Sequence, residues 1–234
     1  PHPPPTPFFF QAEYGIRDCL LSRGLGDVYK RQAANTYTGA TTISAGTLAI
    51  SSATALGTTD AATTVANNSS LSISGGITVA EAITIRGTGV SSGGAIAFTS
   101  GDNTYSGALT LAATSTIVST GGAQTISGTV NGGQALTITA NDNLIIEGVV
   151  GGSTPLSSLV VTTTGSAIQT FIANVTTTGN QTYTAAGGIV ARLARTFEGD
   201  TIYFASALSG NNNVTITGNV DIDGAVTGIV VLSI

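Results

Sequence analysis

A long block recurs within this chain, and that repetition constrains the fold more than any single residue. NTYSG at Asn103 to Gly107 returns in looser form as NQTYT at Asn180 to Thr184, so that Tyr105 and Tyr183 stand 78 positions apart. LTIT at Leu136 to Thr139 returns as VTIT at Val214 to Thr217 at the same offset, and IIEGVVG at Ile145 to Gly151 is echoed by DIDGAVTG at Asp221 to Gly228. An earlier NTYTG opens at Asn35. Repetition of this kind is the mark of stacked architectures, in which each unit buries its apolar face only against its neighbours. Inside a block the texture is finer. Runs such as TLAIS, LSIS, ITIRG, QTISGTV and LTITA are separated by Gly, Asn, Asp or Ser. Alternation of period two over four to six residues, bounded by turn formers, predicts β-strands. No stretch carries helical spacing, and the intervals are too short for βαβ crossovers. The chain is therefore expected to be all-β. A sandwich and a β-solenoid both accommodate such strands. The repetition, the Thr, Val and Ile ladders and the Gly and Asn suited to positive-φ corners favour the solenoid. Roughly ten rungs would lie between Ala33 and Ile234, forming a rod about 45 to 50 Å long. Tyr37, Tyr105 and Tyr183 are expected at equivalent sites beside a turn, with the hydroxyl exposed.

The head of the chain is a different text. Residues 11 to 32, QAEYGIRDCLLSRGLGDVYKRQ, resemble a translated sequencing-library adapter. A flow-cell adapter reads as Gln11 to Asp18 with one departure, Tyr14. Cys19, Leu20 and Leu21 fit index codons, and a transposase-end adapter reads as Ser22 to Gln32 without mismatch. Residues 1 to 10, PHPPPTPFFF, precede it in the same frame. Residues 1 to 32 are accordingly read as an artefact, disordered or adventitiously structured, and are excluded from functional reasoning. Residues 33 to 234 are the solenoid region, expected to be truncated at both ends because the repeats begin and end within a unit.

Composition bounds the function once this head is removed. From Ala33 onward there remain three basic and nine acidic residues, a net charge of −6, with no Cys, His, Lys, Met or Trp. Recurrent Val, Ile, Leu and Thr argue against disorder. The longest apolar clusters, Leu144 to Ile146 and Ile229 to Leu232, are strand-sized, far short of a membrane span. So few cations make no footprint for nucleic acid. Lack of cysteine suits an exported chain that must fold outside the cell without disulfide traps.

NTYTGATTISAGTLAI, from Asn35 to Ile50, resembles the autotransporter-associated β-strand repeat of bacterial autotransporter passengers, with its Asn-Thr-Tyr-Thr-Gly opening and Gly-Thr-Leu close. Val149 to Thr162, VVGGSTPLSSLVVT, is similar to repeats of large haemagglutinin- and adhesin-type surface proteins. Asn103 to Leu111 keeps the opening of the first motif and loses its close. The resemblance implies a right-handed parallel β-helix displayed outside the cell.

Chemistry has little to work with. Without His or Cys after Ala33, neither a Ser-His-Asp or Cys-His system nor a Cys/His zinc site can be assembled there. The carboxylates are Asp60, Glu81, Asp102, Asp142, Glu147, Glu198, Asp200, Asp221 and Asp223. Asp221 and Asp223, at i and i+2 of an expected strand, face one side as paired acids or oxygen ligands of a cation would. They are the weak metal-site candidates, against a plain solvated face flanking an inward Ile222. Arg192 and Arg195 share ARLARTFEGD with Glu198 and Asp200, the most charged stretch after Ala33, read as a loop or rung edge with a binding patch as the sharper alternative. Arg86 is the remaining cation. No calcium-binding Gly-rich nonapeptide array repeats. The TIT motifs at Thr137 to Thr139 and Thr215 to Thr217 do not fall on successive rungs, as an ice-binding ladder would require. No catalytic residue and no cofactor is assigned.

These readings converge on a structural or adhesive passenger or stalk of a secreted bacterial surface protein, extracellular and anchored at the outer membrane through other sequence. Its expected partners are cell-surface or host glycans and proteins, with no nucleic acid and no membrane insertion of this segment. The competing class is a non-catalytic part of a polysaccharide-active β-helix enzyme.

Overall fold

The computed structural model describes residues 28–230 and 232–234. Residues 1–27, with His2 and Cys19, lie outside the described residues. The chain is a parallel β-solenoid of about ten turns, and no α-helix occurs among the described residues. All paired strands run parallel. Successive turns differ in length, from steps as short as Leu208 to Val226 to steps as long as Thr78 to Thr104.

Each turn has three faces, here A, B and C in chain order. Face A holds Thr41–Ile43, Thr63–Val65 and Ile83–Gly87. Face B holds Gly46–Ile50, Ser69–Ser74, Ile96–Ser100, Ala135–Ala140, Ser158–Thr163 and Gln181–Ala185. Face C holds Thr78–Val79, Thr104–Tyr105, Gln124–Ile126, Leu144–Ile146, Gln169–Phe171, Ile189–Ala191, Leu208–Gly210 and Val226–Thr227. The strands Leu109–Ser119, Arg195–Phe204 and Val214–Ile222 bend from face A into face B. Two of these corners carry a register shift, at Leu111/Ser115 and at Glu198/Thr201. The bends join A and B into one 16-stranded sheet, whereas face C is an 8-stranded sheet of its own. With Val28–Arg31 at its start, face B stacks ten strands, and their nine steps of about 4.8 Å span about 43 Å.

Period-two alternation becomes columns of identical facing. On face B, Leu48, Leu71, Ile96, Ile117, Ile138, Val161, Tyr183, Phe204 and Ile222 are successive register partners pointing inward. On face A the column runs Thr41, Thr63, Ile83, Leu109, Val130, Val150, Val175, Phe197 and Ile216. Each aliphatic member contributes roughly 1.5 to 3 kcal/mol by its burial. Ser119 breaks one column: it lies inward between Phe98 and Ala140, buried, with a hydroxyl that has no hydrogen-bond partner. Ser119→Ala is therefore expected to raise stability by about 1 kcal/mol, measured by urea denaturation.

The B-to-C corner is held by side-chain amides. Buried Asn103 accepts from the backbone N–H groups of Gly76 and Ile77 at 3.0 and 3.1 Å, and its amide donates to Gly101 O at 2.8 Å. Gln124, one turn on, donates to Gly122 O at 2.7 Å and accepts from Asn103 Nδ2 at 3.1 Å. Gly122 is required there: its φ is +80°, and a Cβ would stand 2.2 Å from Gly101 O.

The three tyrosines depart from the expectation. Tyr105 and Tyr183 are buried, and their hydroxyls are satisfied inside the coil rather than exposed. Tyr105 shares its one hydroxyl proton between Ala108 O at 2.9 Å and Glu81 O at 3.0 Å, whereas Tyr183 donates to Gln181 Oε1 at 2.7 Å. Only Tyr37 is half-buried, sharing a 2.6 Å hydrogen bond with the Thr41 hydroxyl. Nor are the sites equivalent: Tyr105 lies on face C beside Val79 and Ile126, Tyr183 on face B beside Val161 and Phe204. The offset between them covers eleven faces, one short of four turns, so the repeated landmark arrives one face early. LTIT and VTIT shift in the same way, from face B to face A.

Part of the adapter-like segment is structured. Val28–Arg31 adds a strand to the end of face B, in register with Thr47 to Ile50, and the Arg31 guanidinium lies 5.4 Å from the centre of the Tyr37 ring. Its own side chains are largely exposed, Val28 at 57% and Tyr29 at 37%.

Candidate ligand groove

The C-to-A corner decides where a ligand can approach. Two residues beyond each inward residue of face C, the chain places Glu81, Gly107, Gly128, Gly148, Ala173, Leu193 and Asn212 in turn. The three glycines let the rungs close tightly: a Cβ on Gly128 would stand 1.7 Å from Gly107 O, and one on Gly148 1.8 Å from Gly128 O. Further along the rod the glycines end and side chains return, and there the corner opens into a groove of about 620 Å³.

Leu193 forms part of the groove wall. It is one of four non-glycine residues with positive φ among the described residues, at +64°, yet its side chain is 56% exposed. The conformation is held by the corner. Arg192 N donates to Phe171 O at 2.9 Å, and the Arg195 side chain reaches back through Nε to Arg192 O, also at 2.9 Å. Partial burial lowers the Arg195 pKa below the ordinary guanidinium range. Ile172 and Val190 supply an aliphatic floor, the Arg192 guanidinium a positive charge, and Asn211 and Asn212 from the following turn two amides. The groove thus joins an apolar surface to one cation and paired donor–acceptor groups.

The residues singled out in the sequence are scattered by the fold. Asp221 and Asp223 lie exposed on the outside of face B, flanking an Ile222 that packs against the core. Asp221 pairs in register with Tyr203, and the Tyr203 hydroxyl donates a hydrogen bond to Asp223 Oδ2. That hydrogen bond, then desolvation, then the charge of the two carboxylates raise the Tyr203 pKa. No group of three or more potential metal ligands occurs among the described residues. Asp102 and Asp142 accept backbone N–H bonds at corners, from Ala123 and Asn143. Arg86 is exposed, its side chain 3.4 Å from Ala112 O. The TIT motifs lie on different faces. No helix among the described residues is long and apolar enough to cross a membrane.

Glu81 is the one buried acid among the described residues, which its place among the nine scattered carboxylates after Ala33 does not reveal. It begins the corner column, with Oε1 accepting from Thr63 Oγ1 at 3.1 Å and Oε2 without a partner. Desolvation raises its pKa against the lowering effect of the Thr63 hydrogen bond. An acid whose pKa is higher folded than unfolded contributes stability that is complete below the unfolded value, here 4.5, and lost as pH rises through the folded value. Glu81→Gln is therefore expected to melt above the parent at neutral pH, and thermal melts between pH 4 and pH 7 should show that gap closing toward acid.

No family model, curated protein or solved structure matches the chain.

Proposed function

We propose that the chain is a structural and adhesive segment, a stalk or passenger of a secreted bacterial surface protein of the autotransporter or haemagglutinin-like type. The observation that carries this reading is the unbroken inward column from Leu48 to Ile222, which makes the chain a filled rod with a continuous outer surface. A rod of stacked turns holds whatever it carries at a fixed distance from its anchor. Because each turn contacts only its neighbours, folding propagates along it once a first turn forms, which suits a chain exported unfolded. The motif at Asn35 to Ile50 and the absence of cysteine after Ala33 support the same reading.

Beads coated with the full chain should be retained under flow on mucin- or epithelial-cell-coated surfaces. Retention no better than that of albumin-coated beads would overturn the adhesive reading. Release of reducing ends from polygalacturonate would favour the polysaccharide-active enzyme instead.

A further inference from the structure

We infer that the groove at the C-to-A corner binds a carboxylate-bearing glycan, such as a uronate oligosaccharide, through Arg192, Leu193 and the Asn211–Asn212 amides. The inference rests on the adhesive reading above and names its ligand.

Three observations favour a sugar acid. The groove opens where the corner column, beyond Gly148 and Ala173, carries Leu193 and Asn212, so the opening is made by side chains at positions that glycine fills elsewhere in the column. Leu193 holds an exposed apolar side chain at positive φ, a conformation that costs free energy and recurs at ligand sites. In a chain with net charge −6 after Ala33, the groove carries one of only three cations there. Its other groups match a pyranose. Ile172, Val190 and Leu193 offer aliphatic surface to the C–H face of the ring. The two amides are joined by Asn212 Nδ2 donating to Asn211 Oδ1 at 2.7 Å, and the Nδ2 of Asn211 and the Oδ1 of Asn212 remain to donate to and accept from vicinal hydroxyls. The guanidinium grips a carboxylate with two parallel hydrogen bonds.

An extended acidic peptide fits less well. Strand addition needs an open backbone edge, and the groove strands Ile189–Ala191 and Leu208–Gly210 are each paired on both sides.

The test titrates the amide NMR spectrum of the full chain with trigalacturonate, maltotriose and triglutamate. Trigalacturonate is expected to shift the amides of Val190 to Leu193 and of Asn211 and Asn212, with maltotriose binding about 10- to 100-fold more weakly. R192A should weaken trigalacturonate by the same factor, the range for a lost charged hydrogen bond, while the remaining spectrum reports an intact fold. L193G should keep or raise the melting temperature, because glycine suits that backbone, and still weaken binding. The inference is overturned if trigalacturonate shifts no groove amide, if triglutamate binds as tightly, or if R192A binds undiminished. Bead adhesion that survives R192A while trigalacturonate fails to bind would leave the adhesive reading standing and remove this one.

Discussion

Gly128→Ala is expected to destabilise the rod by about 3 kcal/mol or more, because the added Cβ would stand 1.7 Å from the carbonyl oxygen of Gly107. The obstacle is backbone in the neighbouring turn, so no rotamer change relieves it. Relief requires the rungs to part at that corner, and the same contact recurs between Gly148 and Gly128, so a displaced Gly128 also disturbs the turn above. Urea denaturation followed by circular dichroism measures the loss. Gly133→Ala is the control: a Cβ there meets nothing within 4 Å, and its effect should lie within about ±0.5 kcal/mol. Equal effects of the two substitutions would mean that the corner is not closely packed.

Phe197→Ala should cost about 3 to 5 kcal/mol. Phe197 is fully buried, and its ring meets Phe171 at 5.5 Å, Tyr183 at 5.7 Å and Phe204 at 5.4 Å, each edge-on. The four rings come from all three faces, so truncating one removes the contact that ties faces A, B and C together at this height. Neighbouring turns cannot collapse into the space without breaking register. Since stability in a stacked fold is nearly a sum of local and nearest-neighbour contributions, the loss should be uneven. Hydrogen exchange is expected to accelerate for Gln181–Ala185 and Arg195–Phe204 while Ser69–Ser74 and Ile96–Ser100 stay protected. Uniform acceleration would show that the whole rod unfolds as one cooperative unit.

Alternation of apolar and polar residues was enough to reach an all-β stack, because inward and outward parity is what a strand imposes on its sequence. The columns through Ile138 and Val161 are visible in LTITA and LVVTT. The three-faced path was not visible, since turns of such unequal length have no fixed period to detect. Tyr105 and Tyr183 looked alike in sequence and differ in place for that reason. Their hydroxyls stay buried because acceptors at the coil's interior, Ala108 O and Gln181 Oε1, lie within reach. The groove was half legible: ARLARTFEGD stood out by charge, but Asn211 and Asn212 join Arg192 only through the stacking of a later turn. Glu81 was hidden because burial depends on which corner an acid occupies, and nothing local distinguishes it from Asp102 or Glu147.

The eleven-face offset of the duplicated block bears on how such a rod lengthens. A duplicated segment that is not a whole number of turns would wreck a coil whose sides were chemically specialised. Here the landmarks were moved one side round and still fit, because the inward and outward alternation of the strands is common to all three sides. The offset therefore displaces the landmarks by a single side, and the stack accepts them there.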